Sequence, residues 1–335
     1  MAEAFLQLSV QERRDALEVA ASASGRPVHL LEKDIWVVWT LATLFASPLR
    51  EHLVFKGGTS LSKAYAAIRR FSEDIDLTYD IRQLIPDLVG DQADALPPNR
   101  SQEKRWTRAV RDRLPKWIGT SVLPELQRVI DQGRLPTTLR ADGEKVFINY
   151  EALAAGSGYV SPSVMLEFGA RSTGEPCEVH EITCDAAGHL GELTFPVASL
   201  RVMRVERTFW EKATAVHVFC LGGRFRGERI ARHWHDLARL DEAGYAQAAL
   251  RDRDLALAVA RHKAVFFAEK DAEGRPVDYE AAVTGALRLV PEGMAKEVLA
   301  EDYRRMVDDG LLLDDAETFE VLIEASRKLE RKANS

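Results

Sequence analysis

The sequence predicts an α/β chain: a sheet-containing part up to about residue 200, then an all-helical remainder. Three observations carry this. First, "HLVFKGG" reads as a short apolar strand ending in a double-glycine turn, and "EDIDLTYD" follows it as a second strand. Second, "KVFINYEA" and "SVMLEFGARS" read as further strands, with "EVHEITCDAAG" as another or as part of an excursion. Third, from "FPVASLRVMRVERTFWEKATAVHVFCLGG" to the C-terminus the apolar residues recur at helical spacing with almost no β signal. Residues 1–200 and 201–335 are thus the expected domains.

Each element has a local reason. "SVQERRDALEVAASAS" begins with Ser9 as N-cap and Glu12 three positions on, a capping box. "HLLEKDIWVVWTLATLFASP" is a second helix, ended by Pro48, with Trp36, Trp39 and Phe45 as a core stripe. After the glycines, Thr59 or Ser60 is expected to cap "SLSKAYAAIRR", with Leu61, Ala64, Tyr65 and Ile68 on one face. In the next strand Ile75, Leu77 and Tyr79 point one way while Asp74, Asp76 and Thr78 point the other. A basic helix follows "LPPN", and "WIGTSVLPELQRVIDQG" continues as helix.

Composition sets limits. The 335 residues carry a net charge of −7, which argues against a protein that coats nucleic acid. Locally the balance reverses. Residues 100–117 hold seven cations against two acids, and 201–232 hold seven arginines and Lys212 against three glutamates. Such stretches are solvated helix faces or tracks for a polyanion. The first residues are too polar for a signal peptide, and "IWVVWTLATLFA" is only 12 residues, too short to span a bilayer. Cys177, Cys184 and Cys220 form neither a disulfide framework nor a metal pair. A cytoplasmic protein with no membrane partner is the expectation.

The chemistry concentrates at 57–76. Gly57 and Gly58 let a phosphate approach the backbone closely. Asp74 and Asp76, two apart on a strand, project from one face, which is unfavourable unless a cation joins them. A divalent ion, Mg²⁺ above all, with substrate phosphates completing its coordination, suits that pair. Glu167 is the only acid in an apolar strand, so it is expected to be buried and to need a partner, a metal or Arg171. His233 and His235 are two apart on a helix, poor joint ligands, and read as polar helix surface.

"GGTSL" followed by "RRFSEDIDL" resembles the nucleotidyltransferase superfamily with DNA polymerase β-like folds. More narrowly, the order GGTSL, FSEDIDL, a lysine helix and an Arg/Asp helix resembles the AbiEii-type nucleotidyltransferase toxins of type IV toxin–antitoxin systems, the MenT-like toxins included. "EKDIWVVWTLATLF" and the terminal "EDYRRMVDDGLLLDDAETFEVLIEASRKLERKAN" extend the likeness over nearly the whole chain. The resemblance implies a polymerase β-like core with a small mixed sheet and a C-terminal helical domain. It places Gly57, Gly58, Thr59 and Ser60 at the triphosphate, Ser72 beside the metal-binding Asp74 and Asp76, and Lys212 on the phosphates with Arg207 or Arg232. Asp236 matches the functional aspartate, and the resemblance makes Glu167 the candidate for a third carboxylate that acts as general base, with a structural ion pair as its alternative. The family commonly shows Arg-Asp adjacent three residues earlier, where this chain has Arg232-His233, so only the later acid carries over.

The implied reaction is transfer of NMP from an NTP to RNA, the tRNA 3′ end, with Mg²⁺ or Mn²⁺, by a growth-inhibiting toxin whose antitoxin is encoded nearby and need not touch it. The alternatives are nucleotidylation of a protein or small-molecule hydroxyl, and an inactive nucleotide-binding module.

Overall fold

The computed structural model describes residues 3–68, 70–72, 74–154, 161–222, 229–308, 312 and 316–335. The chain forms two compact units. One comprises Met1–Ala64, Glu73–Asp91 and Arg108–Val202, the other Tyr65–Ser72, Gln92–Thr107 and Met203–Ser335.

The first unit is built on a mixed sheet. Its strands are β2 (Leu53–Lys56), β3 (Ile75–Tyr79), β4 (Thr137–Asp142), β5 (Lys145–Tyr150), β6 (Ser163–Gly169), β7 (Cys177–Thr183) and β9 (Val197–Met203), in the order β4-β5-β6-β3-β2-β9-β7. Two-residue strands β1 (Glu3–Ala4) and β8 (Leu193–Thr194) pair separately. β3 runs antiparallel to β2 and parallel to β6. β4 and β5 form a hairpin at Gly143, whose φ of +60° suits glycine.

Alternation gives the sheet two unlike faces. Phe55, Ile75, Leu77, Val146, Ile148, Leu166 and Phe168 are buried on one. The Val28–Ala46 helix packs there, with Trp36 stacked on Tyr150 at 5.4 Å. From Ile35 to Ala46 that helix is apolar nearly all round, as befits one surrounded by protein. Trp36, Trp39 and Phe45 are all buried, as core residues should be. The Val10–Ser24 helix packs against it and carries the expected capping box: Ser9 Oγ accepts from Glu12 N–H, and Glu12 returns the bond.

The second unit is helical. Val205–Cys220 packs against Ala231–Glu242, Tyr245–Arg251 and Arg253–Phe266, and Ala231–Glu242 also meets Gly293–Asp308 and Phe319–Ala333. Trp210 and Trp234 are fully buried, each with its indole N–H satisfied by a carbonyl, of Ala249 and Leu289. Among the described residues no helix is long and apolar enough to cross a membrane.

Two local expectations are corrected, and one strand was not anticipated. The helix after the glycines spans only Gly57–Lys63. It starts at the glycine, so Thr59 and Ser60 lie inside it instead of capping it, and it stops well before Ile68, with Ala66 in the left-handed region at φ +48°. The stretch 197–203 is a strand, not the start of the helical region. Its buried Ala198, Leu200 and Val202 alternate with more exposed neighbours, a period of two overshadowed by the strong helix that begins at Val205. Finally, Thr137–Asp142 forms an edge strand whose mostly polar sequence gave no β signal.

Candidate active site

The turn at Gly57 is fixed by two independent constraints. Its φ of +80° lies where side chains are disfavoured, and a Cβ there would sit 2.8 Å from Cγ of Asp76, closer still to the carboxylate oxygen. Only glycine lets the backbone lie against the Asp76 carboxylate. Thr59 Oγ1 donates to the Asp74 carbonyl at 2.5 Å, tying the helix to the residue before β3, and Ser60 Oγ donates to the Gly57 carbonyl at 2.8 Å. Gly58 is part-exposed in the first turn of the same helix.

Strand register then sets a row of charges across the sheet. Lys56 pairs with Asp76, Asp76 with Glu167, and Glu167 with Lys145. Directly paired residues share a face, so two carboxylates stand side by side on adjacent strands, flanked by a lysine at each end. This row lies on the face opposite the apolar core. The expectation that Glu167 is buried is therefore wrong. Its side chain is 49% exposed and pairs with Lys145 Nζ at 3.2 Å, because position 167 falls on the polar face of β6 between buried Leu166 and Phe168.

The donors here are oxygens only, on Asp76 and Glu167 and on Asp74 immediately before β3, a set that suits a hard divalent cation. Among the described residues no group of three or more acids, histidines or cysteines is placed to hold a metal ion by itself.

In the helical unit Lys212 and Asp236 meet. Asp236 is fully buried and its Oδ2 lies 2.9 Å from Lys212 Nζ. Arg70 completes the cluster as a fork, Nε to Oδ1 at 2.7 Å and Nη2 to Oδ2 at 2.8 Å. Burial pushes the Asp236 carboxyl up, but Arg70 and Lys212 together outweigh it and hold it well below the usual carboxylate range. The sequence reading missed Arg70. The available signal was Asp236 itself, an acid between Trp234 and Leu237 on an apolar helix face, which demands buried cations.

The histidines are not polar surface. His235 is buried, with Nδ1 3.6 Å from Asp236 Oδ1, beyond hydrogen-bond reach. His233 is pushed down to about 3 by burial and by Lys212, and so is neutral. Arg207 is buried and pairs with Glu211 at 3.3 Å, while Arg232 Nε donates to the Arg229 carbonyl. Asp302 accepts from the N–H groups of Arg229 and Ala231, pinning the start of that helix. Ser72 is half-buried in the 65–72 segment. Arg224, Arg226 and Glu228 of the second basic stretch lie outside the described residues. Cys177, Cys184 and Cys220 are free thiols.

A mixed sheet with a glycine turn pressed against an acidic row defines a nucleotidyltransferase-type fold. The family model "Nucleotidyl transferase AbiEii toxin, Type IV TA system" matches residues 39–325, and the chain belongs to that family. It is a nucleotidyltransferase of the toxin–antitoxin class. Its fold is similar to that of MenT4, a nucleotidyltransferase toxin from Mycobacterium tuberculosis H37Rv, with a TM-score of 0.50 at 17% identity over 98% of this chain and 90% of that one. No protein of curated function matches it significantly.

Proposed function

We propose that the enzyme transfers NMP from an NTP to an RNA acceptor, the 3′ end of tRNA, in the presence of Mg²⁺, and that this modification is how it arrests growth. The observation that carries the reading is the contact of Gly57 with Asp76, which leaves backbone and carboxylate together with no side chain between them. A triphosphate needs both a close approach to main-chain N–H groups and an acidic neighbour to share its metal.

In this reading Gly57, Gly58, Thr59 and Ser60 form the triphosphate turn, and Asp74 and Asp76 hold the ion with Ser72 beside them. An ion held there would supply Lewis acidity at the phosphoryl oxygens and charge for the pyrophosphate that leaves as the acceptor hydroxyl bonds to the α-phosphorus. Glu167, next to Asp76 and open to solvent, is the group able to take a proton from an acceptor hydroxyl. Lys212 provides charge for the phosphates with Arg207 or Arg232, and Asp236 orients Lys212. The RNA assignment is supported by the Arg100–Trp117 helix, where Arg100, Lys104, Arg105, Arg108, Arg111 and Lys116 are exposed. Membership of a toxin–antitoxin family implies a cognate antitoxin.

The test is incubation with Mg²⁺, each labelled NTP in turn, and total tRNA. Label entering tRNA is expected. Label on protein instead would move the acceptor, and NTP binding without transfer would reduce the protein to a binding module.

A further inference from the structure

Glu32, Lys33 and Asp34 are consecutive charged residues on the Val28–Ala46 helix, and all three are buried, at 2%, 3% and 7% exposure. Side chains of this kind are not buried without partners, and each holds a different piece of chain. Glu32 accepts from the Leu153 N–H at 2.9 Å, and Lys33 donates to the Ser161 carbonyl at 3.1 Å. Asp34 reaches further. Its Oδ1 lies 2.6 Å from Lys63 Nζ and its Oδ2 accepts from the Asp185 N–H at 2.7 Å. Lys63 Nζ also meets Asp185 Oδ1 at 2.8 Å, and Arg26 closes the cluster on the other Asp185 oxygen. Two carboxylates and two cations balance within it.

Lys63 is the last residue of the helix that begins at Gly57. Seven residues make about two turns, too short to hold a position by helix propensity alone. Its far end continues into Ala64, which keeps right-handed helical angles, so no glycine cap fixes it. One end is therefore set by Gly57 against Asp76 and by Thr59 on Asp74, the other by Lys63 in the grip of Asp34 and Asp185. A rigid rod held at both ends transmits a displacement of one to the other. Removing one partner of such a buried cluster leaves a charge uncompensated, so the lysine would leave for water and take the helix end with it.

We propose that Asp34 is a positioning residue: acting through Lys63, it seats Gly57 beside Asp76. The inference rests on the reading of that turn as the triphosphate site. Asp34 touches no substrate, so its loss alters how well the phosphates are aligned and not which groups react.

The experiment compares Asp34→Asn, Lys63→Met, the double variant and Lys63→Arg with the wild type in the labelled-NTP transfer assay, at a temperature where each is folded by circular dichroism. Either single change should lower kcat/KM for NTP at least tenfold per folded molecule. The double variant should be no worse than the worse single one, and Lys63→Arg, which keeps the cation, should stay within about threefold of wild type. A merely structural role would lower the melting temperature while leaving kcat and KM of the folded enzyme unchanged, and that result overturns the proposal. If Asp34→Asn does not fold, Lys63→Met against Lys63→Arg decides. A folded wild type that transfers nothing to any acceptor overturns the triphosphate reading first, and this inference with it.

Discussion

Gly57 and Asp76 fit against each other so closely that a single added carbon on Gly57 would stand 2.8 Å from the Asp76 carboxyl carbon. Lys56, the residue before Gly57, is the register partner of Asp76, so the turn follows directly from the strand that pairs with the acidic one.

Gly57→Ala should therefore be costly in two separable ways. The left-handed φ costs roughly 1 kcal/mol for an alanine, and the contact with Asp76 adds to it. In a double-mutant cycle the alanine should destabilise the wild type more than it destabilises Asp76→Gly, where the carboxylate is gone. Urea denaturation of the four proteins measures the difference. Equal costs in both backgrounds would mean that the carboxylate is not the obstacle.

Asp236 and Arg70 form a buried pair, so removing either leaves charges in the interior. Asp236→Asn should cost about 3–5 kcal/mol of stability, since Lys212 and Arg70 lose their anion together. Arg70→Lys keeps the charge but cannot make the two-bond fork, and should lie between wild type and Asp236→Asn in denaturant midpoint. Loss of transfer in Asp236 variants must accordingly be read beside their unfolding curves.

Glu167 behaves in the opposite way. Its exposed pairing with Lys145 is worth at most about 1 kcal/mol, so Glu167→Gln should melt close to wild type. A large fall in transfer rate at unchanged stability would assign it the proton, and an unchanged rate would leave it as a surface ion pair.

Glu32 supplies a pH dependence. Burial first, opposed by its bond from Leu153 N–H and by Arg13 and Arg14, pushes its carboxyl up to about 7. An acid raised on folding contributes stability that is fully present below its ordinary value of 4.5 and is lost as pH rises through about 7. The loss is on the order of 3 kcal/mol. Glu32→Gln removes it, so the variant's stability relative to wild type should improve between pH 5 and pH 8. Parallel stability curves for the two proteins would contradict this.

Much of this was legible in the sequence because it depends on short-range pattern. The capping box at Ser9, the strand and glycine at Lys56-Gly57 and the alternation from Ile75 to Leu77 need only local neighbours, and the structure keeps all three, whereas Thr78 is buried where the pattern has it polar. What escaped depends on distant partners. Glu167 looked buried because its strand is apolar, but exposure is decided by which face each alternate residue takes once β6 pairs with β3. Arg70 lies in irregular chain, where no periodicity marks it, and its partner is 166 positions away. Asp34 likewise shows its role only when Lys63 and Asp185 are seen beside it. The strand at 197–203 was concealed by the helix beside it, whose longer apolar pattern dominates any window that includes both.

The central claim, that the row containing Asp76 serves nucleotide transfer, is tested most directly by one comparison. Wild type and Asp76→Asn, matched for folded concentration, are incubated with Mg²⁺, labelled NTP and tRNA, with and without EDTA. Label in tRNA is expected for wild type, with its loss in EDTA and a fall of roughly 10²-fold or more in Asp76→Asn. Transfer by Asp76→Asn at the wild-type rate would contradict it.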